Sequence, residues 1–63
     1  MTHAEKVNAI VASSLQDARA GIVEVDSIEQ YESDLRTELA HCNAAVVNEM
    51  FAAVNLHTAL NRN

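Results

Sequence analysis

The segment from Asn43 to Leu60 constrains the fold of this 63-residue chain more than any other. Twelve of its eighteen residues are apolar, it holds no Gly and no Pro, and Glu49 is its only acidic or basic residue apart from His57. A short chain cannot leave such a segment in water, so other parts of the protein, or a second copy, must cover it. At about 100° per residue its side chains sort into faces. Val46, Met50, Ala53, His57 and Leu60 share one face. Val47, Phe51 and Val54 share a second, roughly a quarter turn round. Ala45, Ala52 and Ala59 form a strip of small residues, and Asn48 and Asn55 mark a polar line. Two apolar faces and an alanine strip predict more than one neighbouring helix, as in a bundle core. The second face reads either as core or as a docking face for another protein.

The remaining sequence predicts an all-α fold in one helical domain, residues 1–63. Thr2 and Glu5 form a capping box. Ala4, Val7, Ile10, Val11, Ser14, Leu15 and Ala18 recur at three- and four-residue spacing, which predicts a helix over about Thr2 to Ala20. Gly21 stands where a left-handed residue would end that helix, and Ile22 where an apolar side chain would close a Schellman motif. The connector from Ile22 to Val25 is short and β-branched but has no second strand to pair with, so its apolar side chains are expected against the helices. Asp26, with Glu29 in the first turn, is the preferred next N-cap, and Ser27 with Gln30 is the alternative.

From there Ile28, Tyr31, Leu35, Leu39, Cys42, Val46, Met50, Ala53 and His57 repeat in steps of three, four and four. That eleven-residue period crosses His41-Cys42-Asn43 without a phase slip. It predicts one long helix from about Ser27 to Leu60, about 50 Å at 1.5 Å per residue. The result would be a helical hairpin, with a short first helix and a long second one. A break near Asn43, giving a three-helix bundle, is the alternative. In the hairpin, helix 1 covers about half of helix 2. Two copies could then cover each other's overhangs in a homodimeric bundle, with Val46, Val47, Met50, Phe51 and Val54 as the dimer or partner interface. A chain this small has a marginal core, and with one cysteine it has no internal disulfide to add.

Charge narrows the function classes. The net charge is −5, and the four basic residues, Lys6, Arg19, Arg36 and Arg62, are scattered. Nucleic acid is therefore disfavoured as a partner, and so is a membrane surface. No apolar run is long enough for a membrane span, and the N-terminus has no signal-peptide pattern, so the expected compartment is cytoplasmic. The acidic residues Glu24, Asp26, Glu29, Glu32, Asp34 and Glu38 sit around the connector and the first half of helix 2. Most such runs are solvated faces, and Glu32 is spaced to pair with Arg36. The functional reading makes Glu29, Glu32 and Asp34 a surface that steers a basic protein partner.

No catalytic, cofactor or metal site is expected. Cys42 beside His41 has the composition of a nucleophile and its base, but adjacent helical residues point about 100° apart. Cys42 also fits the apolar register, which favours a buried thiol. His57 on an apolar face reads as a core or interface histidine. Across a dimer axis it could meet its own copy, but two ligands are too few for structural zinc.

In size and outline, a small acidic hairpin that dimerises resembles the plasmid copy-number regulators that bind paired RNA loops as a four-helix bundle. The shared Met-Thr-x-x-Glu-Lys start is short, and a long second helix departs from that family's even halves. Architecture does not carry function, so RNA binding is not transferred. The expected function is that of a small acidic regulator, a stoichiometric inhibitor or adaptor of another protein, acting as a dimer. The alternatives are a nucleic-acid-binding dimer, which would gather Lys6, Arg19 and Arg36 from two chains, and a structural assembly subunit.

Overall fold

The computed structural model describes residues 1–60 and is all-helical, with three helices and no strand among those residues. Helix α1 spans His3–Arg19, α2 spans Ile28–His41 and α3 spans Ala44–Leu60. Both α2 and α3 pack mainly against α1, so α1 is the shared element. The Cα trace measures 33 × 29 × 14 Å and is flattened in one direction.

The start of α1 is set by the capping box. The Thr2 hydroxyl accepts from the Glu5 amide at 3.1 Å, and the Thr2 amide donates to the Glu5 carboxylate at 3.2 Å. Two amide donors at the helix start are thereby satisfied. The helix ends at Gly21, whose φ of +80° is the left-handed conformation that favours glycine. The Gly21 amide donates to the Ala18 carbonyl and the Ile22 amide to the Asp17 carbonyl, which is the Schellman pair of bonds. The apolar contact that often accompanies those bonds is missing, because Ile22 is 74% exposed. Val23 is also exposed and Val25 is half-buried, so the connector does not tuck its apolar side chains away as expected.

The N-cap of α2 is Ser27, not Asp26. The Ser27 hydroxyl accepts from the Gln30 amide at 3.3 Å, and the backbone there is extended. The expected single long helix is absent. At Cys42 the backbone turns extended, with φ −83° and ψ 144°. Asn43 then starts a new helix: its side-chain oxygen accepts from the Val46 amide and its carbonyl from the Val47 amide. Asn is among the strongest N-cap residues, because its side chain replaces the missing backbone acceptor. With α2 and α3 as separate helices, the three-helix alternative fits. The break also lets α3 fold back along α1 instead of projecting beyond it.

The break changes which residues point inward. A continuous helix would extend the Leu35, Leu39, Cys42 line to Val46 and Met50. Instead Val47 is fully buried, and Phe51 and Val54 pack beside it. The inward face has rotated by one residue, roughly 100°. The core holds Ile10, Val11 and Leu15 from α1, Leu39 from α2 and Val47 from α3, with Val7, Ile28, Tyr31, Leu35 and Cys42 packed around it. Burying each aliphatic side chain is worth about 1.5–3 kcal/mol. With so few fully buried residues, the fold depends on each of them.

Candidate interaction surfaces

Helix α3 divides into two faces because it has one extensive neighbour, α1. Val47, Phe51 and Val54 of the predicted interface lie on the α1 side and serve the core within the chain. Val46 and Met50 do not: they are 41% and 37% exposed. Leu56 and Leu60 extend the outer face and are more exposed still, at 62% and 68%. Ala45, Ala52, Ala53, His57, Ala59 and Glu49 are exposed as well. The five predicted interface residues therefore separate into three that build the monomer and two that remain on its surface. The face pattern of the sequence leaves Leu56 unassigned.

The predicted acidic trio also separates. Along a helix, Glu29 and Glu32 project about 140° and 160° from Asp34. Glu32 accepts from Arg36 at 3.2 Å, and Arg36 in turn reaches the Asn8 side chain of α1 at 2.9 Å. Glu29 is exposed in the first turn of α2, where negative charge suits the helix dipole. Asp34 lies on the other side, accepting from Gln30 at 2.9 Å. There it joins Glu24, Asp26, Val25, Ser27 and Tyr31 around an open depression of about 320 Å³. Three carboxylates and a half-buried tyrosine thus line one depression at the connector. Sequence spacing alone does not group Glu24 and Asp26 with Asp34, because the connector's path decides it.

The basic side chains are held apart. Lys6 donates to Asn48 of α3 at 2.7 Å, and Arg36 is held by Glu32 and Asn8 on α2 and α1. Arg19 is in the last turn of α1, and Arg62 lies outside the described residues. Lys6 and Arg36 therefore tie α1 to its two neighbours.

The residues weighed for chemistry are dispersed. Cys42 is half-buried against the core, and its thiol donates to the Glu38 carbonyl at 3.4 Å. His41 is exposed at the end of α2, and His3 is exposed at the start of α1. His57 lies far along α3, beside Thr58 and across from Gln16 and Asp17 of α1. Among the described residues, no group of three or more His, Cys, Asp or Glu is placed to hold a metal ion. Among the same residues, no helix is long and apolar enough to cross a membrane.

Compared with protein-family models, curated proteins and solved structures, the chain matches none of them.

Proposed function

We propose that this protein is a small acidic regulator that acts by stoichiometric binding to another protein and works as a helical dimer. The observation that carries the reading is a division of surfaces. An acidic depression around Tyr31 lies at the connector, and an uncovered apolar face runs along α3. A basic partner would be steered by Glu24, Asp26 and Asp34 and would rest against Tyr31, an aromatic already held by the core. The outer face of α3 is left for self-association. The regulator is not an enzyme in this reading: Cys42 is turned to the core, and His41 stands on the surface.

Affinity capture tests it. The wild-type chain and a variant carrying Glu24→Lys, Asp26→Lys and Asp34→Lys are immobilised and exposed to extract at low and high salt. One protein retained stoichiometrically by the wild type, and lost from the variant, is the expected result. Partner retention that ignores all three substitutions would contradict the assigned face. Salt-sensitive retention of RNA or DNA alone would replace the reading with nucleic-acid binding.

A further inference from the structure

Two residues, Cys42 and Asn43, separate α2 from α3, and neither is Gly or Pro. Cys42 has φ −83°, already in the helical range, so rotating its ψ from 144° to about −40° brings it into a helix. The apolar period of the sequence runs through the junction without a phase slip. A helix end on each side leaves backbone groups without intrahelical partners, and a continuous helix would pair them. Against that gain stands one local device, the Asn43 cap on the Val46 amide. The junction is therefore a hinge with two helical solutions, bent and straight.

Helix α3 is held to the rest of the chain mainly through α1. Val47, Phe51 and Val54 supply the apolar part of that contact, and Lys6 donates to Asn48 across it. Straightening the hinge takes α3 off its own α1 and leaves the same place on α1 open in every copy. We propose that a second copy of this chain fills it: α2 and α3 become one continuous helix, and α3 docks on the partner's α1 in a reciprocal domain swap. The contacts within one chain fix the chemistry of the partner, because each of them is remade between chains. Domain swapping is a low-cost route to a dimer for that reason. The swapped form goes beyond the dimer of the proposed function, in which each chain keeps its own α3.

The helix directions permit the exchange. Arg36 reaches Asn8, and Leu39 and Ala40 share a depression with His3 and Ala4, so α2 runs antiparallel to α1. Asn48 is bound by Lys6, and Thr58 shares a depression with Gln16 and Asp17 further along, so α3 runs parallel to α1. An α1 holding its own α2 and the partner's α3 sets those two antiparallel. A two-fold axis beside the Cys42–Asn43 junction requires the same of two straight helices. In a straight helix the core-facing Leu35 and Leu39 lie about a third of a turn from Val47, Phe51 and Val54. The chain's own α1 and the partner's α1 therefore take different sides of it. Val46 and Met50, exposed in the bent chain, join the line of Leu39 and Cys42.

Cross-linking between chains tests the swap. In a Cys42→Ser background, a chain with Lys6→Cys is refolded at high concentration together with a chain with Asn48→Cys. A short bifunctional thiol reagent is added, and heterodimers are identified by mass. The expected yield is well above that of a control pair, Lys6→Cys with Ser33→Cys. Asn43→Ala should raise the swapped-dimer constant about thirty-fold, read from heterodimer yield over a dilution series, because neither of the two hinges then has a cap to lose. Ala44→Pro should abolish the heterodimer: Pro suits the first position of α3 but breaks the interior of a continuous helix. Circular dichroism should show that variant folded. A yield no higher than the control, no rise with Asn43→Ala, or a link that survives Ala44→Pro would overturn the swap and leave the dimer through the outer face of α3 standing. A chain that stays monomeric at every concentration, with or without Asn43→Ala, would overturn both.

Discussion

The Asn43 side chain accepts a hydrogen bond from the Val46 amide at 3.0 Å, and that contact fixes the architecture. It caps α3, separates it from α2, and turns Val47 rather than Val46 toward the core. Asn43→Ala should therefore destabilise the protein by about 1 kcal/mol, the usual cost of losing an N-cap. In a domain this small, that corresponds to a fall in Tm of about 4–8 °C. Asn43→Asp should retain most of the stability. Thermal denaturation that leaves the Ala variant unchanged would mean that the cap does not hold the break.

Neighbouring valines should behave in opposite ways. Val47 is fully buried and Val46 is 41% exposed. Val47→Asp places an unpaired charge in a core too small to absorb it, and the chain should lose its cooperative unfolding transition. Val46→Asp should keep its helical signal and change only self-association. If circular dichroism shows both variants folded, or both unfolded, the assignment of the two α3 faces is wrong.

Gly21→Ala tests the end of α1. An added Cβ would meet no atom within 4 Å, so any cost is conformational. At φ +80° that cost should be about 1 kcal/mol, read as a lower denaturant midpoint with an unchanged slope. Gly21→Asn should cost less, because Asn tolerates the left-handed region.

The polar ties of α1 should contribute little to stability. In the Arg36–Glu32 pair the side chains are 47% and 40% exposed, and the Lys6–Asn48 and Arg36–Asn8 bonds are exposed too. Replacing Lys6 or Arg36 with Met should change unfolding free energy by no more than about 1 kcal/mol, with the smaller effect at high salt. A larger loss in chemical denaturation would show that these bonds, and not the apolar core, hold α1 to its neighbours.

Local signals in the sequence are more legible than backbone continuity. The Thr2–Glu5 box and the left-handed Gly21 each depend on a few adjacent residues, and both are present. The break at Cys42–Asn43 is harder to see, because the three-four-four period runs through it. A hydrophobic period says which residues share a face if the helix continues; it does not say that the helix continues. The cue against continuity is Asn43 itself, a strong N-cap residue at the head of a good helix-forming run. Reading through it puts Val46 where Val47 belongs, and hence mixes core and surface residues in the expected interface. The acidic cluster is partly hidden for a different reason. Glu24 and Asp26 meet Asp34 only through the path of the connector, and residue spacing carries no record of that path.

The central claim is that the protein works as a dimer joined through the outer face of α3, and one measurement tests it most directly. In a dimer made from one isotope-labelled and one unlabelled chain, filtered NOE spectra report only contacts between chains. Dimerisation through this face predicts cross-peaks between chains from the methyls of Val46, Met50, Leu56 and Leu60. A sample that is dimeric but shows no cross-peak from α3, or one that stays monomeric at high concentration, would contradict it.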